Sequence, residues 1–498
     1  MDLILSAIFT ALSPACLLAN AIGVALGIIF GALPGLTAAM GVALLIPLTF
    51  NMPVVEAFSS LLGMYCGAIY GGCITAILVG TPGTVAAAAT MLEGPALTAR
   101  GESKRALDMA TISSFIGGIF SCVVLIVLSP IFARAATAFG AAEYFSVALF
   151  GMAVVASLAS SSPIKGGIAA LLGMYLSTIG IDPIYGDLRN TFNMPDLFGG
   201  LPIVPVLVGL FAVGQILITL ESAFTKETKV SIRMDKTSKR LSFKDLWVNK
   251  FNLLRSSIIG VVVGIIPATG VGTASYIAYS SAKNASKTPE LYGKGVLEGI
   301  AATESANNAV TGGALVPLLT LGIPGDIVVA IILGALMIQG LVPGPLLFTE
   351  HPDVVYGIFS ALAISNVLML AMGLLAVRPL AKVLLVPTVV LMPAVLTLCV
   401  AGGYTVNNST FDLSLVFIFG LLGYLMTKTG MPTSPLLLSM ILSPIAESNF
   451  RRAVTISNGD YSVFFTSPIS AAVLLLTLFV IIRVVLKEVK ARRAAAAK

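Results

Sequence analysis

The chain has 498 residues, of which 57% are hydrophobic and only 10% charged, with a mean hydropathy of +1.00. A soluble domain carries about 25% charged residues, so this composition excludes an ordinary soluble protein and demands a polytopic membrane protein. The formal charge of +6 comes from bases in short loops and the tail, which reads as membrane topology and excludes a nucleic-acid surface.

From the N-terminus the chain is apolar after Asp2 and lacks a basic leader, so a retained first segment is expected. A crossing helix needs about 20 apolar residues, and the apolar segments leave room for roughly ten to twelve crossings. Several of these are interrupted. Pro34-Gly35-Leu36-Thr37 and Gly80-Thr81-Pro82-Gly83 break the first half; Pro267-Ala268-Thr269-Gly270 and Gly322-Ile323-Pro324-Gly325-Asp326 break the second. Proline removes a backbone donor and glycine allows conformations closed to other residues, so each pair stops a helix. In lipid a broken helix survives only where protein or a water-filled cavity satisfies the freed groups, which makes each break a candidate binding site. The plainer reading is a tight structural turn. Cys16, Cys66, Cys73, Cys122 and Cys399 lie apart without CxxC spacing and read as packing residues.

Between the halves, residues 221–250 carry Lys226, Lys229, Arg233, Lys236, Lys239, Arg240, Lys244 and Lys250 beside the single tryptophan, Trp247. This reads as a basic cytoplasmic linker. It separates a first membrane repeat over residues 1–220 from a second over 251–486, with a basic cytoplasmic tail at 487–498. The halves match in order: Pro34 with Pro267 at an offset of 233, Gly71-Gly72 with Gly312-Gly313 at 241, Pro82-Gly83 with Pro324-Gly325 at 242, Met91 and Gly94 with Met337 and Gly340 at 246, and Pro130 with Pro379 at 249. A slow one-way drift is what duplication with small insertions leaves.

Loop charge then orients the halves. After the second break of each half the loop is basic in the first (Arg100, Lys104, Arg105) and acidic in the second (Glu350, Asp353, beside His351). Before it the pattern reverses, with Glu56 against Lys283, Lys287 and Lys294. By the positive-inside rule equivalent loops face opposite sides, so the repeats are inverted. Asp182, Asp187 and Asp196 read as outside; Arg378, Lys382 and the tail bases Arg483, Lys487, Lys490, Arg492 and Arg493 read as inside. Each stretch, from Glu56 to Arg100 and from Lys294 to Glu350, has room for one crossing plus a re-entrant excursion. The fold class is therefore an all-α membrane protein of two inverted-topology repeats with broken helices and re-entrant hairpins.

That architecture belongs to many secondary transporters, whose substrates and ions meet at half-helix ends near the bilayer midplane. N-terminal ends suit anions and exposed carbonyls suit cations. Thr81, Pro82, Gly83 and Thr84 are expected to offer N–H groups and a hydroxyl to a carboxylate, with Pro324, Gly325 and Asp326 as their counterpart. Asp326 has three readings: helix cap, cation ligand or proton carrier. Thr303-Glu304-Ser305-Ala306-Asn307-Asn308 and Thr311 supply neutral oxygens and amides; Asn307 and Asn308 are assigned to substrate, while Ser305 and Thr311 join Pro34, Gly35, Thr37, Thr269 and Gly270 as ion-coupling candidates, sodium being the ion considered. Helix-to-helix hydrogen bonding is the plainer role for these groups, and Glu298 and Glu304 lie close enough to the basic loop to be salt-bridged or snorkelling instead.

Enzymatic readings fare worse. One histidine, His351, excludes a histidine metal site or a Ser-His-Asp triad. Ile323-Pro324-Gly325-Asp326 falls one residue short of the GxGD signature of intramembrane aspartyl proteases, and no second intramembrane aspartate is evident. There is no P-loop or dinucleotide fingerprint, and no cofactor is expected.

The stretches GIIFGALPGLTAAMGVALLIPLTF, MYCGAIYGGCITAILVGTPGT, YGKGVLEGIAATESANNAVTGGALVPLLTLGIPGD and GALMIQGLVPGPLLF resemble the large membrane subunit of the tripartite tricarboxylate transporter family, from about Leu17 to the last apolar segment. The resemblance implies a bacterial inner-membrane protein working with a small membrane subunit and a periplasmic solute-binding protein. It further implies uptake of citrate or other carboxylates on an ion gradient, usually sodium, by an elevator motion that carries Tyr70 to Thr84 and Glu304 to Asp326. Two departures stand out: the glycine delayed to Gly270 after Pro267, and Asp326 where a small hydroxyl residue is expected. The alternatives are a stand-alone small-anion secondary transporter and an intramembrane aspartyl hydrolase.

Overall fold

A computed structural model describes residues 2–158, 163–182, 184–225, 241–267, 270–375, 386 and 388–496. Lys226 to Arg240 of the linker, Ala268 and Thr269 between Pro267 and Gly270, and Arg378, Pro379 and Lys382 lie outside the described residues.

The chain opens with α1 (Asp2–Ala11) and α2 (Pro14–Ala32). Ser13 caps α2 by accepting from the Cys16 N–H at 3.3 Å, and Pro14 sits in the first turn, where its missing donor is harmless. α3 (Ala38–Thr49) and α4 (Val54–Leu78) come next, then two 3₁₀ turns, α5 (Gly94–Ala99) and α6 (Ser103–Ala136). Beyond them lie α7 (Ala141–Leu158), α8 (Pro163–Ser177), a hairpin of β1 (Gly180–Ile181) and β2 (Leu188–Arg189), and α9 (Ile203–Leu207), which passes through a π turn into α10 (Gly214–Thr225). The second half begins with α11 (Phe243–Ile265), whose start is fixed by a capping box between Ser242 and Asp245. It continues through α12 (Val271–Ala285), α13 (Leu297–Leu321), α14 (Ile327–Ile338), α15 (Leu347–Glu350) and α16 (Pro352–Leu375). The chain ends with α17 (Thr388–Thr405), α18 (Thr410–Lys428), α19 (Thr433–Ile456), α20 (Val463–Thr466) and α21 (Pro468–Ala496).

Among the described residues eight helices are long and apolar enough to cross a membrane, against the ten to twelve expected. The difference lies partly in shorter apolar helices such as Ala38–Thr49 and Ile327–Ile338, which the breaks cut short. α13 has the 25 residues of α4, but its run of polar side chains lowers its hydropathy.

The helices form two compact units, Met1–Ile131 with Gln215–Asn408 and Phe132–Gly214 with Ser409–Lys498. Each unit draws on both halves of the sequence, so the compact bodies do not coincide with the divisions at residues 220 and 251.

In the first unit α2 packs on α4 along a seam of glycines. A Cβ on Gly27 would stand 2.4 Å from the Met64 carbonyl oxygen, on Gly31 2.1 Å from that of Ala68, and on Gly71 2.4 Å from that of Ile28. α11 meets α13 in the same register: Gly260 against Ala306 at 2.3 Å, Gly264 against Val310 at 2.9 Å, Gly313 against Val261 at 2.7 Å. Contacts rise together in both pairs, so α2 runs parallel to α4 and α11 to α13, and the short helix between them returns the chain. The equivalent of Gly71 is Gly313 and not Gly312, one residue from the sequence match. α4 and α13 run antiparallel to each other, since Asn307 donates to the Ile69 carbonyl at 3.3 Å while Thr311 lies beside Cys66. All five cysteines are buried and free.

The second unit is built on aromatic packing, with Phe145 against Phe450 and Phe464 at ring separations of 5.1 and 5.0 Å. Its hairpin loop is pinned by Asp182, which accepts from the N–H groups of Ile184 and Tyr185 and pairs with Arg451 at 2.9 Å. These donors hold the Asp182 carboxyl down at about 2, so it stays ionised at any physiological pH.

The seam sets a mutational contrast. Gly31→Val drives two methyls into a neighbouring carbonyl and is expected to cost about 1–3 kcal/mol of overpacking strain, whereas Gly167→Ala meets nothing within 4 Å. Thermal unfolding of the detergent-solubilised protein should show a lowered midpoint for the first alone.

Candidate functional site

The two later breaks share one backbone geometry. α4 ends at Gly80 with φ +74° and α13 at Gly322 with φ +73°, both in the left-handed region that glycine tolerates. Past each proline the chain turns back along its own helix: Gly83 N–H donates to the Gly72 carbonyl at 3.4 Å, and Gly325 N–H to the Ala314 carbonyl at 3.4 Å. Both bonds lie at an offset of 242. A Cβ on Gly83 would stand 2.0 Å from the Gly31 oxygen, and one on Gly325 2.4 Å from the Gly264 oxygen. Each loop is thereby pressed onto the end of a glycine seam.

Beyond these glycines the two breaks diverge. After Asp326 the chain forms α14, and Asp326 caps it by accepting from the Val329 N–H at 2.7 Å. Its other oxygen accepts a short hydrogen bond from the Tyr65 hydroxyl. After Thr84 the expected half-helix is not formed; the chain makes 3₁₀ turns at Val85–Ala88 and Thr90–Leu92. Only ten residues separate Gly83 from the next Gly-Pro at Gly94-Pro95, and Pro95 ends any continuous ladder before it grows. The chain's own continuation after Gly83 therefore offers no α-helix N-terminus; the helix start beside it is that of α12, where a Cβ on Gly272 would stand 3.3 Å from the Val85 carbonyl oxygen.

The remaining candidates separate into engaged and free groups. Thr37 caps α3 through the Met40 N–H at 3.1 Å, and Gly35 at φ +91° offers its carbonyl to Thr219 at 3.2 Å. Pro34 is exposed and Gly270 begins α12 at φ +77°. Ser305 donates to the Leu253 carbonyl at 3.0 Å and lies 2.7 Å from Ser257, joining α13 to α11; Thr311 donates to the Asn308 carbonyl at 2.7 Å. By contrast Thr84 Oγ1, Asn307 Oδ1 and both amide ends of Asn308 are buried without a hydrogen-bond partner. Thr84 and Asp326 are 242 residues apart, as are Tyr65 and Asn307. The Tyr65–Asp326 hydrogen bond in one half thus has Asn307 and Thr84 as its counterparts in the other, each with a polar atom unpartnered.

Two carboxylates depart from the salt-bridge reading, and a third carries no sequence expectation. Glu304 touches no base among the described residues; Thr90, Ser114 and Asn307 donate to it. Glu298 accepts from the hydroxyls of Ser286 and Tyr292, each at 3.1 Å. Glu93, buried and unnoticed in the sequence, accepts from the Tyr279 hydroxyl and the N–H groups of Gly293, Gly295 and Val296. Its four donors tie the first break to the loop opening α13. An acid within an apolar run was the available signal; Tyr65, Thr90 and Ser114 carried none.

Eight helices of crossing length and hydropathy among the described residues, with polar groups gathered in the buried interior, define an integral membrane protein. Residues 17–438 match the Tripartite tricarboxylate transporter TctA family, and the chain belongs to that family. An uncharacterized 52.8 kDa protein in the TAR-I ttuC' 3' region of Agrobacterium vitis is 36% identical over 491 residues, covering 97% of this chain and 96% of its own length. An uncharacterized protein in the TAR-II ttuC' 3' region of the same organism is 40% identical over 234 residues, covering 47% of this chain and 97% of its own length. No solved structure matches the chain.

Capping by Asp326 sets a measurable cost. Asp326→Ala removes the cap of α14 and strands the buried Tyr65 hydroxyl, an expected loss of about 1–3 kcal/mol in combination. Tyr65→Phe keeps the cap and should lower the thermal midpoint by less.

Proposed function

We propose that the chain is the large transmembrane subunit of a binding-protein-dependent secondary transporter that imports citrate or related carboxylates on an ion gradient, sodium being the favoured ion. It acts in the bacterial inner membrane, with linker and C-terminus cytoplasmic, beside a small membrane subunit and a periplasmic solute-binding protein. The single observation that carries the substrate reading is the set of buried, unpartnered groups at Thr84, Asn307 and Asn308. Buried polar groups are normally paired; Thr84 Oγ1 and Asn308 Nδ2 can donate to a carboxylate as they stand, and Asn307, whose unpartnered atom is the acceptor Oδ1, can do so by a half-turn of its amide that presents Nδ2 instead.

On this reading the two half-sites work unequally. The half at Thr84 and Asn307 is open to ligand, while the half at Asp326 and Tyr65 is closed on itself and serves as structure. Antiparallel α4 and α13, matching glycine seams and matching Gly83 and Gly325 bonds support an inverted duplication. All four breaks fall in one compact unit, as a transport domain moving as a body requires, and this supports the elevator reading. The neutral surroundings of Asp326, spent as a helix cap, favour transport over an aspartyl hydrolase.

Reconstitution of the complex in liposomes tests the function. Labelled carboxylate should accumulate with an inward sodium gradient and not without it, and Asn307→Ala with Thr84→Val should raise the half-saturating substrate concentration by about tenfold or more, the loss of one or two charge-assisted hydrogen bonds. Uptake unaffected by either substitution overturns the site. For the inverted topology, single cysteines at Lys104 and Glu350 should react with an impermeant reagent from opposite sides of the membrane; labelling from one side sinks it.

A further inference from the structure

Glu304 is fully buried in α13, inside a chain that must sit in lipid. Thr90 Oγ1 donates to its Oε1 at 2.5 Å, Ser114 Oγ to its Oε2 at 3.3 Å, and Asn307 Nδ2 to Oε2 at 3.5 Å. Tyr70 and Cys73 of α4 are titratable groups that face it, and no Lys, Arg or His pairs with it among the described residues. Three neutral donors offset only part of the cost of an ionised carboxylate in such a place, and ionisable groups in membrane spans characteristically hold ions or protons. A second observation points to a ligand: Asn307, itself fully buried, has an Oδ1 with no partner.

The oxygens are spaced for a metal ion. A hard cation with ligands at about 2.4 Å sets neighbouring oxygens about 3.4 Å apart. Ser114 Oγ and Glu304 Oε2 already stand 3.3 Å apart. A half-turn of the Asn307 amide exchanges Nδ2 for the unpartnered Oδ1 and brings an oxygen to 3.3 Å from the Ile69 carbonyl and 3.5 Å from Glu304 Oε2. We infer that Glu304, Ser114, Asn307 and the Ile69 carbonyl bind one hard monovalent cation such as sodium, with Thr90 positioning the carboxylate. The Asn307 amide is the switch, a donor to the bare carboxylate and an oxygen ligand to the ion. Leu62 stands 242 residues before Glu304, so the repeat does not supply a second such site.

The inference deepens the proposed function and rests on it for one step: the ion neutralises Glu304 beside Asn307, so that an anion can enter the half-site that Asn307 shares. Its test does not depend on transport. Thermal midpoints of the full chain, purified in detergent, are measured in sodium, potassium and choline chloride at equal ionic strength. Sodium should raise the midpoint above choline, and the sodium concentration needed should increase as pH falls, because protons compete for Glu304. Glu304→Gln should abolish the sodium-specific shift, and Ser114→Ala should weaken the apparent sodium affinity about tenfold, as for one lost ligand oxygen. A wild-type chain indifferent to sodium, or an unchanged shift in Glu304→Gln, overturns the inference; if Glu304→Gln does not fold, unchanged sodium affinity in Ser114→Ala does so. Carboxylate uptake by the reconstituted complex separates the two ideas. A sodium shift that needs Glu304 in a complex that imports no carboxylate sinks only the transport reading, and uptake with the shift intact in Glu304→Gln sinks only the cation site.

Discussion

The governing constraint is that every backbone polar group removed from water must find a partner inside the protein. A helix can be broken in such surroundings only if its loose end is pressed against something that bonds or covers it. Glycine seams supply that in the first unit. Because Gly27, Gly31 and Gly71 carry no side chain, α2 and α4 approach until backbone meets backbone, and Gly83 then lies on the end of the seam against Gly31. The same happens at Gly264, Gly313 and Gly325. The breaks and the close helix pairs are one device: without the seam the break would be unsatisfied, and without the break the seam would end in an ordinary helix.

That device appears twice, yet the chemistry placed on it differs. In one copy a carboxylate and a phenol satisfy each other and cap the next helix. In the other a hydroxyl and an amide occupy the corresponding positions and leave polar atoms unpaired. Buried polar groups are costly when unpaired, so the loop at Asp326 is closed on itself while the loop at Thr84 keeps that cost. After Thr84 the chain continues in 3₁₀ turns and not in the α-helix that follows Asp326.

The tie between the two copies is carried by buried carboxylates that touch no base among the described residues. Glu93 reaches from the turn after the first break to the backbone that opens α13. Thr90, three residues earlier, reaches Glu304 on the same helix. The segment after the first break is therefore bound to α13 at two points by charge-assisted hydrogen bonds, which are roughly twice as strong as neutral ones.

Much was legible in the residues themselves. Proline and glycine act through local backbone geometry, so all four breaks were visible, and the match of Pro82-Gly83 with Pro324-Gly325 carried the offset that the structure repeats in hydrogen bonds. The match of Gly71 slipped by one residue, because a glycine doublet fits two registers and only packing against Ile28 and Val261 chooses between them. The polar run from Thr303 to Asn308 stood out by its cost in lipid, but not which of its polar atoms lack partners: the Ser305 and Thr311 hydroxyls are engaged, Asn307 donates through Nδ2 while its Oδ1 is unpartnered, and neither end of the Asn308 amide is bonded. That division depends on which face of α13 meets α11 and which meets α4 and α6, and helix facing is set by contacts across hundreds of residues of sequence. What the sequence alone determined was therefore the membrane class and the positions of the breaks, since these stem from composition and local stereochemistry. The tertiary structure decided the rest: that compact units cut across the two halves, that Asp326 is a cap, and that Glu304 lies without a base, because partnership of a buried group is a property of what surrounds it.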